Sequence, residues 1–192
     1  MKKRVLCFFI CIVIGISFLA GCDTDVVNFV SSYDTKRIDK NLIEGNSQFA
    51  FDIFKLLNDE DSGKNIFISS LSISSALAMT YNGARATTKD AMAKTLRYEG
   101  IEMENLNASF RELTAYLGSM KDVKLNIGNS IWIKEGQEIE QEFLSTNKKA
   151  LGAYIEELDF SKVDSADKIN KWISDATEGK IDKVLEPPIS PD

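Results

Sequence analysis

The sequence predicts a single α+β domain, and three observations predict it. Apolar residues recur at helical spacing in six separate stretches. One run, around residues 123–134, changes to a period of two. The strand-forming stretches are few and far apart, so they do not build a complete sheet among themselves, and the domain reads as incomplete.

Taken in order, Phe49, Ile53, Leu56 and Leu57 mark a helix over residues 46–58, followed by a polar loop containing Gly63. Residues 65–69 are short, β-branched and aromatic, which predicts a buried strand. A helix over 71–82 follows. Leu71, Ile73, Ala76, Leu77, Ala78 and Met79 cover most of its circumference, so it is expected inside the protein, with Gly83 as its C-terminal cap. Thr87 and Asp90 form a weak capping box for a shorter helix over 87–96. Leu106, Phe110, Leu113, Leu117 and Met120 make a one-faced helix.

In the period-two run, Val123, Leu125, Ile127, Ile131 and Ile133 share one face, Lys124, Asn126, Ser130 and Lys134 the other, and Trp132 is the outward aromatic. A helix over 140–151 and a strand over 154–160 come next. The last helix has Ser165 as its candidate N-cap, Ile169, Trp172, Ile173 and Ala176 on one face, and Gly179 as its stop. Pro187, Pro188 and Pro191 exclude regular structure beyond it.

The amino terminus reads as an address. Lys2, Lys3 and Arg4 precede a mostly apolar run over 5–19, shorter than the roughly 17–25 residues of a membrane span. It ends Leu19-Ala20-Gly21-Cys22, which resembles the bacterial lipobox, in which the cysteine receives a diacylglyceryl group before cleavage. The expectation is a signal peptide over 1–21, a lipidated Cys22 and a tether over 22–45. Two or more acyl chains, at roughly 0.8 kcal/mol per buried methylene, hold a protein stably on a membrane. The alternatives are an ordinary secretory signal with a chance cysteine, and docking of Val26, Val27, Phe29 and Val30 on the domain. Asp23 resembles an inner-membrane retention signal in some two-membrane bacteria. The protein is thus expected outside the cytoplasm, facing the extracellular or periplasmic space.

Removing 21 of the 192 residues leaves 171, enough for one domain. Three of the 23 basic residues leave with the signal, so 20 positives face 29 acids and the remainder carries −9. That balance argues against a nucleic-acid partner. The chain has no histidine, which removes Ser-His-Asp and Cys-His catalysis and histidine-ligated metals. Cys7 and Cys11 also leave, and Cys22 alone forms no internal disulfide. An enzyme is therefore not expected, and no cofactor is implied.

More specific is the run Asn65-Ile66-Phe67-Ile68-Ser69-Ser70-Leu71-Ser72-Ile73-Ser74-Ser75-Ala76-Leu77-Ala78-Met79, with Phe49 to Phe54, Gly83 to Thr88 and Asn129 to Trp132 in matching order around it. It is joined by Ile169-Asn170-Lys171-Trp172-Ile173 and Thr177-Glu178-Gly179-Lys180-Ile181. These stretches resemble the serpins, the serine-protease-inhibitor fold, over 46–192. Ser70 stands where the family usually has proline.

The resemblance implies a serpin-like fold, represented by its N-terminal helices and the first strands of its central sheet. It also implies inhibition of serine (or cross-class cysteine) proteases by a cleaved reactive loop that inserts into the sheet. Ser69 and Ser72 fall at the shutter beneath the opening strands, although two small polar residues at a helix start explain them equally well. Trp132, Ile169, Asn170, Trp172, Thr177, Gly179 and Lys180 are expected as packing residues of the family signature. The helix that binds sulfated polysaccharide in some members offers Arg111 beside Glu112, with Lys121 just beyond, so no polyanion activation is expected. Asn107-Ala108-Ser109 fits the N-glycosylation triplet, which a bacterial-type signal discounts.

The resemblance covers the family's first half and places the reactive loop outside this sequence, so no bait residue is named and the chain alone is expected to be inactive. The alternative is a non-inhibitory, cell-surface binding or structural lipoprotein on the same partial scaffold.

Overall fold

The computed structural model describes residues 32–60 and 62–189. The expected signal, Cys22 and the apolar cluster at Val26 to Val30 lie outside the described residues. A one-turn 3-10 helix, Thr35–Arg37, precedes α1 (Lys40–Glu60), α2 (Ser70–Gly83), α3 (Ala86–Leu96), α4 (Met103–Gly118), β1 (Ser130–Lys134), α5 (Gln141–Leu151), β2 (Tyr154–Leu158) and α6 (Val163–Ala176). The α+β arrangement is the expected one.

The core forms where α1, α2, α4 and α5 meet. Leu42 and Phe49, seven residues apart and so on one face of α1, pack with Ala78, Met79, Tyr81, Leu96, Tyr98, Leu106, Phe110 and Leu151. Tyr98 is fully buried, its ring edge-on to Tyr81 and Phe110 at 5.6 and 6.1 Å, and its hydroxyl donates to the Ser74 carbonyl at 3.3 Å. Burial holds that phenol far above its usual titration range. Backbone approach is close as well. A methyl group on Gly45 would lie 2.5 Å from the Arg97 carbonyl oxygen, so α1 crosses the end of α3 where only glycine fits.

β1 and β2 pair in parallel, in register from Ser130 with Tyr154 to Lys134 with Leu158. Parallel neighbours need a crossover, and α5 supplies it. Asn129 and Glu135 extend the ladder through Tyr154 N–H to Asn129 C=O and Glu135 N–H to Leu158 C=O, both 2.9 Å.

Several expectations change. Residues 65–69 do not form a strand, and Phe67 is fully exposed. Residues 123–128 carry the period-two pattern but are not ladder-paired. In both cases side-chain alternation is present while a hydrogen-bonding neighbour is not, and the neighbour defines the strand. α2 buries one face, Ser74, Ser75, Ala78, Met79 and Tyr81, while Ala76 and Leu77 are exposed. Gly83 is the last helical residue rather than a left-handed cap; a methyl group there would meet the Phe143 ring at 3.0 Å. α3 starts at Ala86 with Arg85 as a cap whose side chain makes no capping bond to the helix, donating instead to the Ala84 carbonyl at 3.0 Å, so the Thr87/Asp90 box is not used. Ser165 is not an N-cap. It sits inside α6, buried, its hydroxyl donating to the Asp159 carbonyl at 2.7 Å.

The tether boundary also moves. Residues 40–45 belong to α1, with Leu42 fully buried, and residues 33–39 lie on α4. Periodicity begins at Lys40 but is diluted there by Asn41, Glu44 and Gly45.

Candidate functional site

Two of the signature residues, Trp132 and Trp172, meet where α6 packs against the strand pair. Trp132 on β1, Tyr154 on β2 and Trp172 on α6 form a triangle of rings with centroids 5.3, 6.0 and 5.8 Å apart. Tyr154 and Trp172 are stacked, and the two tryptophans are edge-on. Trp132 does project away from Ile133, as alternation requires, but the face it projects from is covered by α6. Its indole N–H donates to Ser130 Oγ at 2.9 Å. Helix and strand approach closely because Gly128 carries no side chain: a methyl group there would lie 3.1 Å from Ala176 Cβ and 3.2 Å from the Trp172 ring.

The polar rim is arranged around the same triangle. Tyr154 donates its hydroxyl to Glu156 at 2.6 Å, and Glu156 also pairs with Lys168 of α6 at 3.5 Å. Donation to that carboxylate, together with desolvation, pushes the Tyr154 phenol up to about 12. Lys124 and Asn126, from the unpaired part of the expected strand, both reach Glu178 beyond α6, at 2.5 and 3.1 Å. The Lys124 ammonium holds the Glu178 carboxyl below its ordinary range.

Asn170 is buried on the underside of α6 and uses its whole amide. Oδ1 accepts from Val184 and Leu185 N–H, both at 2.9 Å, and Nδ2 donates to the Leu185 carbonyl at 2.8 Å. The chain beyond α6 is thereby fastened back along it. Thr177 shapes the reversal: its hydroxyl donates to Ile173 C=O at 2.8 Å and accepts from Ile181 N–H at 3.1 Å. Glu178 and Gly179 both have positive φ, 52° and 72°, and Gly179 N–H reaches the Ser174 carbonyl at 2.7 Å. Ile169 is buried in α6, and Lys180 is exposed in the turn, its N–H bonded to the Thr177 carbonyl at 3.0 Å. Of the residues named from the sequence, Trp132 and Trp172 meet through their rings, Ile169 and Asn170 are buried in α6, and Thr177, Gly179 and Lys180 form the turn after it.

Ser69 and Ser72 are placed differently. Ser69 is the N-cap of α2, its Oγ accepting from Ser72 N–H at 3.3 Å with the two hydroxyls 2.8 Å apart, and both residues are exposed. The buried serines are the next pair, Ser74 and Ser75, whose hydroxyls both donate to the Leu71 carbonyl at 3.1 and 2.8 Å.

Sequence reasoning passed over a half-buried amide cluster joining three helices. Asn82 on α2 donates to Asn147 on α5 at 2.9 Å, and it exchanges bonds with Asn107 on α4 at 3.0 and 3.1 Å. Asn147, fully buried, donates to the Met79 carbonyl at 3.3 Å. The available signal was an asparagine in the apolar stripe between Phe143 and Leu151. The cluster also answers the glycosylation triplet, since the Asn107 amide is engaged and Ser109 is fully buried. Among the described residues no group of His, Cys, Asp and Glu is placed to hold a metal ion. The arrangement holds α6 on the strand pair by ring packing and holds the chain beyond α6 by an amide clamp.

Residues 44–192 match the family model described as Serpin (serine protease inhibitor). The leukocyte elastase inhibitor of Xenopus laevis is 36% identical over 151 residues, 76% of this chain and 39% of that protein. The thermophilic serpin tengpin, in its native state, is 35% identical with a TM-score of 0.71, over 84% of this chain and 40% of that one. The latent state of tengpin matches with the same identity and TM-score over 81% of this chain and 41% of that one. The chain therefore spans about two fifths of the length of the relatives it matches.

Proposed function

This chain belongs to the serpin family, and from that premise we propose that the whole protein is an exported, membrane-anchored inhibitor of serine-type endopeptidases that works by inserting a reactive loop into its sheet. In this reading the described residues supply the fixed side of the trap. The observation that carries it is α6 packed on β1 and β2 through the Trp132–Tyr154–Trp172 triangle, with the chain beyond it fastened by the Asn170 clamp. A helix joined to a sheet by side chains slides over it more readily than a ladder-paired strand would. The outer edges of the strand pair offer backbone groups to an incoming strand.

Ser69 and Ser72 are read as part of the polar lining that exchanges partners as strands part. Cys22 is read as the lipid-bearing residue and the link to the membrane. Neither polyanion activation nor nucleic acid enters the reading, because Arg111 on α4 is spent on Glu112 at 2.8 Å and the chain is acidic. The resemblance places the reactive loop outside residues 1–192, so inhibition is assigned to the whole protein and none to this chain alone.

The test is incubation of the whole protein with a panel of serine proteases that includes an elastase. A detergent-stable covalent complex is expected from the whole protein and not from residues 1–192. Cleavage of the whole protein by every protease of the panel, with no such complex, overturns the inhibitory reading. Fatty-acid labelling that is equal in the parent and in Cys22→Ala overturns the anchor.

A further inference from the structure

We propose that residues 33–39 are a latch on α4 that opens and closes as one unit while the rest of the domain stays folded. Three side chains on one face of α4 hold it. Ser109 Oγ accepts from Asp39 N–H at 2.8 Å and donates to the Arg37 carbonyl at 3.2 Å. One turn on, Glu112 Oε2 accepts from Asp34 N–H at 2.8 Å. A further turn along, Tyr116 meets Tyr33 edge-on at 5.3 Å. The spacing of three and then four residues is that of a single helical face.

The segment also holds its own shape. Asp34 caps the 3-10 turn by accepting from Lys36 N–H at 3.0 Å, and Arg37 N–H and Ile38 N–H return to the Asp34 and Thr35 carbonyls at 3.0 and 3.2 Å. A segment closed on itself in this way moves as a body.

Separability follows from what is buried. The 3-10 turn buries none of its own side chains, and in the rest of the segment the apolar contacts are limited to the Tyr33 ring and a half-buried Ile38, so little apolar gain welds it down. Two of the three side chains it covers on α4 are polar, Ser109 fully buried and Glu112 6% exposed, and the third, Tyr116, meets Tyr33, which is itself 41% exposed. When the segment lifts, both polar groups pass to water, and Glu112 keeps Arg111 at 2.8 Å. Hydrogen bonds are satisfied in the open and closed states alike, the condition under which local opening is inexpensive relative to unfolding. An apolar underside would have left an exposed patch on opening.

The latch changes reach. Where Cys22 is anchored, a consequence that rests on the reading above, about 12 residues link it to the closed latch and about 18 to α1 when the latch is open. At most ~3.4 Å per residue, that is roughly 40 Å against roughly 60 Å.

Hydrogen exchange on the chain read by mass spectrometry, with α4 as internal reference, tests the latch. Residues 34–39 are expected to exchange faster than α4 in the parent. Ser109→Ala and Glu112→Gln are each expected to speed their exchange roughly tenfold further while α4 is unchanged. Equal exchange of the two segments in the parent, protected or not, overturns the latch as a separate unit. Loss of α4 protection in either variant overturns it too, because the segment is then part of the domain's structure. Unchanged exchange at 34–39 in both variants overturns the assigned contacts.

Discussion

Replacing Asn170 with alanine removes the clamp that fastens the chain beyond α6. Three hydrogen bonds go: the acceptor for Val184 N–H, the acceptor for Leu185 N–H and the donor to the Leu185 carbonyl, at 2.9, 2.9 and 2.8 Å. A net bond between neutral groups contributes about 1 kcal/mol, so the upper expectation is about 3 kcal/mol. Val184 is 59% exposed, so water reaches the freed groups and recovers part of that. About 2 kcal/mol remains, roughly a thirtyfold rise in local opening. Amide exchange at Val184 and Leu185 is the direct assay, with α6 as the internal reference. The expected result is a thirtyfold acceleration at those two amides and little change within α6, which keeps its own ladder and its ring contacts. Unchanged exchange at Val184 and Leu185 refutes the clamp. Equal acceleration throughout α6 refutes the separation between clamp and helix.

Three further outcomes are expected. The Glu112 carboxyl is held below its ordinary range, first by its hydrogen bond from Arg111 and then by Asp34 N–H; a depressed acid stabilises above its unfolded value, about 4.3, and loses that contribution as pH falls through the folded value. Glu112→Gln is therefore expected to flatten the acid limb of a pH–stability profile, and an unchanged limb refutes it. Gly45→Ala forces a methyl group against backbone at 2.5 Å and is expected to cost about 1–3 kcal/mol, read as a shift in urea midpoint, whereas Gly83→Ala meets only a ring edge at 3.0 Å and costs less. The Tyr154 phenol is expected to titrate near 12 and to fall toward 10 in Glu156→Gln, followed by ultraviolet absorbance; because the folded value is raised, its contribution is present below about 10 and is lost as pH rises toward 12.

The helices were legible because each carries its own reason for folding. An apolar stripe such as Leu106, Phe110 and Leu113 states both the period and the buried face. Strands were legible only where their neighbours lie in the same stretch of sequence. β1 and β2 are joined by one helix and were found, whereas residues 65–69 and 123–128 show the same chemistry without a ladder partner in the described structure. The segment over 33–39 was invisible for the reason that makes it a latch, since it buries no side chain and so leaves no pattern. Asn170 was picked out by resemblance, but its partners lie 14 and 15 residues on, in a stretch whose hydrophobicity says nothing about amide bonding. The Asn82–Asn147 bond spans 65 positions and leaves only an unexplained asparagine in each helix.

These omissions share a physical form. Where the described ladder is a single five-residue pair, much of the long-range order is carried by side-chain amides and hydroxyls that grip backbone: Asn129 on Leu151 at 2.8 Å, Asn147 on Met79, Ser109 on Arg37, Asn170 on Leu185. A ladder bond breaks together with its neighbours, because the strand must leave as a whole. A staple of this kind breaks alone, at about 1 kcal/mol, and its backbone partner is then free to take another acceptor or donor. Elements fastened singly can be released singly, in an order set by burial, with exposed contacts such as Ser69 to Ser72 going first and Asn147 last. On the function proposed above, a fold that admits a strand between others without unfolding needs that graded release, and staples at Asn129, Asn147 and Asn170 are placed on both sides of the strand pair's sequence to supply it.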